Sequence, residues 1–218
     1  MRLVDTVYFD YGGVMTGPVP ETIDAWVAAE GIVPASFSRV LNAWMSRSVP
    51  GATPIRDLET GALPPDQFEA KLAAELETRD GSSVPPEGLL GRIFAQLHPD
   101  EHMFNLAAEL RGLGLRVGLL SNSWGPSYPW DRIDPIFDPV VISEQVGLRK
   151  PDRRIYQHAV QKAGAIPERT LFIDDAEANL QGAGQLGLRT LLHRSPAATA
   201  AGIAQLVPGL MAKAGASR

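Results

Sequence analysis

Cysteine is absent from the 218 residues. There can be no disulfide, no thiolate metal site and no thiol nucleophile, and cysteine usage says nothing of the redox compartment. No apolar run is long enough to span a bilayer, and the opening Met1-Arg2-Leu3-Val4-Asp5 lacks the basic and apolar regions of an export signal, so the reading is of a soluble, cytoplasmic protein with no membrane partner. Runs of one charge are missing as well. The 20 basic and 25 acidic residues are dispersed, with a formal net charge of -5, which gives no support for a nucleic-acid partner. The four histidines, His98, His102, His158 and His193, have no metal-ligand spacing, and lysine is scarce, with four residues against sixteen arginines. What is present, 44% hydrophobic and 21% charged residues, is enough for a sizeable core and a globular chain of one or two domains.

Four short apolar runs each end in a polar residue: Thr6–Phe9 before Asp10, Val117–Leu120 before Ser121, Val140–Ile142 before Ser143, and Leu171–Ile173 before Asp174. Such runs read as buried parallel strands. Helical patterns fall at Glu101–Leu113, Pro151–Ala163 and Ala176–Leu186, so strand and helix alternate from about residue 98, which predicts a doubly wound α/β sheet. Between Thr16 and about Leu97 no strand pattern occurs. Helical segments are expected at Glu21–Ala29, Ser36–Met45, Asp66–Leu76 and Pro86–Leu97, giving a helical insertion over residues 17–97 in a core of residues 1–16 and 98–218. Trp26, Trp44 and Met45 have helical spacing or helical neighbours and are expected in the interior of that insertion. The alanine-rich end from Pro196 reads as a frayed terminus.

In an open parallel sheet, ligands bind beyond the carboxyl ends of the strands. Asp10, Ser121 and Asp174 are each the first polar residue after a strand, so the fold alone sends all three to one rim, and Lys150, just ahead of a helix, can reach the same place. Carboxylates, a hydroxyl and an ammonium suit phosphate chemistry on a divalent cation, whose hard charge prefers oxygen ligands. Each residue also has a purely structural alternative, since Asp and Ser after a strand cap helices and make turns. Two features weigh against it. Lys150 stands beside Arg149 where arginine is the compositional default, which favours a site that wants a compact ammonium. The adjacent carboxylates Asp174 and Asp175 repel unless a cation or a donor holds them.

The segments Phe9-Asp10-Tyr11-Gly12-Gly13-Val14, Leu119-Leu120-Ser121-Asn122, Gly147-x-x-Lys150-Pro151-Asp152 and Phe172-Ile173-Asp174-Asp175-x-x-x-Asn179 resemble the four ordered signatures of the haloacid dehalogenase (HAD) superfamily, with separations of 111, 29 and 24 residues between the marked positions. The helical insertion resembles that superfamily's cap domain, so the likeness covers nearly the whole chain. The resemblance implies a Rossmann-like core with an α-helical cap and a Mg²⁺-dependent phosphohydrolase acting on a small phosphorylated substrate, as monomer or homodimer. It makes Asp10 the nucleophile, assigns Ser121, Asn122 and Lys150 to the phosphoryl group, and gives the metal to Asp10, the Gly12 carbonyl and Asp174, with Asp175 behind them or bridging through water.

One position departs from the pattern. Family phosphatases usually carry an Asp two residues after the nucleophile, acting as general acid and then general base, and here that residue is Gly12. The carbonyl that meets the metal is kept, whereas proton transfer, worth about 10²- to 10⁴-fold, is lost. Weak turnover is therefore expected. The alternatives are a phosphate-binding or regulatory protein of the same fold and, less favoured, a haloacid dehalogenase, a branch that typically lacks the Asp174-Asp175 pair. The loop from Ser123 to Trp130 follows Ser121 onto the rim, where Trp124 and Trp130 either wall a substrate pocket or pack beneath the loop.

Overall fold

The structure is a computed structural model that describes residues 2–45, 52–125 and 128–210. Five strands, β1 (Thr6–Phe9), β2 (Arg116–Ser121), β3 (Val140–Ile142), β4 (Thr170–Asp174) and β5 (Arg189–Leu192), pair in parallel in the order β3-β2-β1-β4-β5. Successive strand residues face opposite sides of a sheet. Val7, Phe9, Val117, Leu119, Leu171 and Ile173 accordingly enter one apolar layer, and Tyr8, Leu120, Val141 and Phe172 the other. Burial on both faces is what makes these strands read as unbroken apolar runs.

Helices α1 (Val19–Ala29), α2 (Pro34–Met45), α3 (Pro54–Glu59), α4 (Pro65–Glu75) and α5 (Leu89–Ile93) lie between β1 and β2. They share a core of their own, built on residues such as Trp26, Phe37, Ile55, Phe68, Leu72 and Leu89, and among the described residues they add no strand to the sheet. The two chain crossings into this insertion run side by side: the Gly17 N–H donates to the His98 carbonyl at 3.1 Å and the Asp100 N–H to that of Met15 at 2.8 Å. The remaining helices are α6 (Glu101–Gly112), α7 (Trp130–Ile133), α8 (Ser143–Val146), α9 (Arg153–Lys162), α10 (Glu177–Gly184) and α11 (Pro196–Ala204).

The structure corrects the sequence reading in four places. Strand β5 has no apolar run to announce it, because it is an edge strand with Arg189 and Thr190 exposed. The end from Pro196 is docked: Ser195 caps α11, and Ile203 within it and Val207 and Leu210 beyond it are buried in the sheet core, residues 211–218 lying outside the described ones. Helix α3, six residues long, has no counterpart among the expected segments. Met45, expected inside, is 58% exposed, being the last residue of α2 on its open side.

Candidate active site

The carboxyl ends of β1, β2 and β4 bring Asp10, Ser121 and Asp174 to one rim, and Lys150 rises between them. Asp10 continues the strand register, its N–H donating to the Ile173 carbonyl at 2.9 Å, while its Oδ1 accepts the Tyr11 N–H at 2.7 Å. The Lys150 ammonium lies 2.7 Å from Asp10 Oδ1 and 2.7 Å from Asp174 Oδ2. At 1% exposure it is out of water, and those two carboxylates, with the face of the Phe172 ring 5.3 Å away, are what chiefly offset its charge among the described residues. Burial opposes the ammonium, but the two carboxylates outweigh it and the Lys150 pKa is raised. Burial, above all, pushes the Asp10 carboxyl upward, Lys150 pulls it back, and Asp174 and Asp175 add to the rise.

Asp174 is held from several sides. Its Oδ1 accepts the Ala176 N–H at 2.8 Å and the Asn179 amide at 3.0 Å, and its Oδ2 accepts the same amide at 3.1 Å as well as Lys150. Carboxylate oxygens of Asp10, Asp174 and Asp175 lie within 4.8 Å of one another. Three carboxylates against one ammonium leave a formal charge of about -2 in a largely buried place, which is the surplus a divalent cation with oxygen ligands removes.

The side chain of Asn122 is turned to Lys150: its Oδ1 accepts the Lys150 N–H at 2.8 Å and its Nδ2 donates to the Lys150 carbonyl at 3.1 Å, which fixes the lysine backbone. Ser121 Oγ accepts from the Tyr128 hydroxyl at 2.9 Å. Burial pushes that phenol up to about 12, so it stays protonated and donates. Tyr128 was visible in the sequence only as one aromatic of the Ser123–Trp130 loop, and nothing marked it out from Trp124 and Trp130. Its ring lies 4.8 Å from that of Tyr11, the residue after Asp10. Residues 126 and 127 of the loop fall outside the described ones.

The two glycines after Tyr11 differ. Gly13 has φ +76°, and a Cβ there would stand 2.3 Å from Asp175 Oδ2, so only glycine fits. Gly12 has no such backbone, and its Cβ would meet only the Val19 side chain at 3.4 Å. The backbone does not demand glycine at position 12.

Above the rim lies a cleft of about 460 Å³, bounded by Asp10, Gly12, Ser121, Lys150 and Asn179 on the sheet side and by the insertion on the other. Glu59, at the end of α3, ties the two sides: its Oε1 accepts the Trp124 indole N–H at 2.9 Å, and its Oε2 pairs with Arg149, the neighbour of Lys150. Trp124 both lines the cleft and packs edge-on against Phe68 and Phe94 of the insertion, so the two alternatives for it hold together. Trp130 is 39% exposed and stacks on Tyr128.

With that geometry in hand, the match of residues 4–187 to the model of the haloacid dehalogenase-like hydrolases decides the family. The chain belongs to the haloacid dehalogenase-like hydrolases. It is 29% identical over 161 residues to a sesquiterpene phosphatase of Aspergillus oryzae, covering 68% of this chain and 76% of that one. It is also 29% identical over 201 residues to a phosphatase of Mycobacterium tuberculosis, covering 87% of each. Among solved structures, a HAD family enzyme of Bacteroides thetaiotaomicron, whose asp12ala mutant was crystallised with magnesium and inorganic phosphate, superposes with a TM-score of 0.66 at 20% identity, over 88% of this chain and 94% of that one. That likeness is one of fold. The relatives named as phosphatases make this HAD chain a hydrolase of the phosphatase type. No helix among the described residues is long and apolar enough to cross a membrane.

Proposed function

We propose that this HAD hydrolase is a Mg²⁺-dependent phosphohydrolase that takes the phosphoryl group of a small phosphorylated metabolite onto Asp10, with residues 17–97 as a helical cap domain over a core of residues 1–16 and 98–218. The observation that carries the reading is the cluster of Asp10, Asp174 and Asp175 with Lys150 set among them at the strand ends. A carboxylate attacks an anionic phosphate only where positive charge offsets the repulsion. Asp10, the Gly12 carbonyl and Asp174 would hold Mg²⁺, with Asp175 behind them, and the ion when bound would supply much of that charge. Lys150 supplies the rest, an ammonium kept charged by its carboxylates.

An oxygen of Asp10 forms a bond to phosphorus as the bond to the ester oxygen breaks, and the leaving group carries off the electron pair. Ser121, held by Tyr128, donates to the phosphoryl oxygens, and Asn122 contributes its backbone N–H while its side chain keeps Lys150 in place. Water then attacks the aspartyl phosphate, returning Asp10 and releasing phosphate. Gly12 offers no side chain to protonate the leaving oxygen or to deprotonate that water, so an aryl phenolate, stable as an anion, should leave far faster than an alkoxide.

The test is steady-state hydrolysis of phenyl phosphate and of an alkyl phosphate, with and without Mg²⁺, against Asp10→Asn as blank. Mg²⁺-dependent turnover of the aryl ester, with an initial burst and with the alkyl ester slower by about 10² or more, is expected. Efficient alkyl hydrolysis would mean that another group supplies the proton. Tight phosphate binding with no turnover of either ester would replace this reading by the regulatory one, which Gly12 favours.

A further inference from the structure

Resting on the phosphohydrolase reading, we propose that the part of the substrate beyond its phosphate is a hydrocarbon, uncharged and without the hydroxyl groups of a sugar or glycerol ester. The cleft has two chemically distinct ends. Beyond the phosphate end, the wall supplied by the insertion is made of Val19 and Ile23 from α1, Leu41 and Trp44 from α2, Ile55 from α3 and Phe94 after α5. Among the described lining residues of the insertion there is no serine, threonine, asparagine, glutamine or histidine.

Its two charged members are Arg56 and Glu59, and Glu59 has one oxygen on Trp124 and the other on Arg149. Sugar hydroxyls set against the apolar residues of this wall would lose water and find few partners among the described residues, Arg56 being the main donor on that side, and a site discriminates strongly against polar groups left unpaired. A hydrocarbon loses nothing and gains burial.

The wall is also packed against the opposite side of the cleft through aromatic rings. Trp44, Phe68, Trp124 and Phe94 form an edge-to-face chain with centroids 5.7, 5.8 and 6.1 Å apart, and the indole of Trp124 is fixed by its bond to Glu59. A preformed apolar surface of this kind, in a cleft of about 460 Å³, is of the size that takes a small organic body. Leu41 and Trp44 are only half-buried, and Met45 at the end of the same helix is open to solvent, so apolar area is left available where a ligand could cover it.

The experiment is a series of 4-alkylphenyl phosphates, from phenyl to 4-hexylphenyl, whose leaving phenols are nearly equal in acidity, so that only the body changes. Each methylene fully buried is worth about fourfold. We expect kcat/KM to climb at least 10²-fold along the series, and hexyl phosphate to inhibit phenyl phosphate turnover far better than glucose 6-phosphate does. Leu41→Asn should cut the 4-hexylphenyl to phenyl ratio about tenfold.

A flat series on an enzyme that does hydrolyse phenyl phosphate through Asp10 would overturn the inference and leave the phosphohydrolase reading standing. Stronger inhibition by glucose 6-phosphate, or a preference for a 4-carboxyalkyl analogue that Arg56 would take, would do the same. No turnover of phenyl phosphate above the Asp10→Asn blank would remove the reading itself, and the inference with it.

Discussion

The two walls of the cleft are built on opposite principles. On the sheet side the central polar side chains are held by several groups: Asp174 accepts from the Ala176 N–H, Asn179 and Lys150, and Asn122 spans both polar atoms of the Lys150 backbone. On the insertion side the surface is apolar, and the described polar ties to the sheet side are few, chiefly Glu59 and the paired crossings at Gly17 and Asp100. Strand ends can hold a charged constellation to fractions of an ångström because the sheet fixes the backbone beneath it. A separately packed group of helices can change its wall without disturbing that constellation.

The largest effect should come from breaking the charged side. Lys150→Met leaves Asp10 and Asp174 without their ammonium in a place that is almost free of water. Removing one partner of a buried pair costs about 3–5 kcal/mol, so the urea midpoint should fall steeply, and 10 mM-scale Mg²⁺ should restore part of the loss if the carboxylates bind it. The exposed pair Arg39–Glu77 on the insertion is the control, and Arg39→Ala should hardly move the midpoint. Equal effects at the two places would erase the contrast between the walls.

The next effect separates the adjacent glycines. Gly12→Asp has room, its Cβ meeting only Val19, and should raise turnover of alkyl esters by up to about 10²- to 10⁴-fold while leaving stability near wild type. Gly13→Ala forces a side chain into the left-handed region and into Asp175, and should cost about 1–3 kcal/mol. Rates on an alkyl ester and urea unfolding of both variants check this. Gly12→Asp with unchanged alkyl rates would show that the lack of a carboxyl at position 12 is not what limits the enzyme.

The sheet side was the more legible in the sequence, for a physical reason. A strand buried on both faces is apolar until it stops, so the residue after the stop is marked, and Asp10, Ser121 and Asp174 are all found that way. Lys150 could be picked out because lysine is scarce. Edge strand β5, half in solvent, carries no such run, and α11 is so rich in alanine that Ile203 within it and Val207 and Leu210 just beyond it were the one signal available. Contacts across the cleft were illegible: Glu59 and Arg149 stand 90 residues apart, and no local pattern relates them. Tyr128 was hidden among aromatics, since its part is set by where its hydroxyl points.

Glu59→Gln probes the tie between the walls. The carboxylate is buried and holds Arg149 and Trp124 together, so its neutral isostere keeps the indole bond but weakens the hold on the guanidinium. A severalfold rise in KM for a 4-alkylphenyl phosphate is expected, with faster proteolysis at residues 16–18 or 97–100 where the chain crosses between the walls. Closure of one part over another excludes water and completes sites. Unchanged cleavage and unchanged KM would mean that the paired crossings alone set the position of the insertion.

The smallest effect concerns how the helices of the two parts begin. Helices α6, α9 and α11 on the sheet side start at Asp100, Asp152 and Ser195, each accepting a backbone N–H, as Thr53 does for α3 of the insertion, whereas α1 and α4 of the insertion and α7, α8 and α10 of the sheet side start with no side-chain cap. Asp152 Oδ1 accepts the Arg154 N–H at 2.9 Å, and the Arg154 guanidinium holds the carboxyl below its ordinary value. The fold therefore favours the ionised form. Its contribution is whole above the ordinary carboxylate value near 4 and is lost as pH falls through the lowered folded value. Asp152→Ala should cost about 1 kcal/mol at pH 7, the usual worth of such a cap, and the gap to wild type should shrink as urea unfolding is repeated below about pH 4. A gap that stays constant into acid would mean that the side chain acts through packing rather than through its charge, and that this helix start carries no electrostatic part.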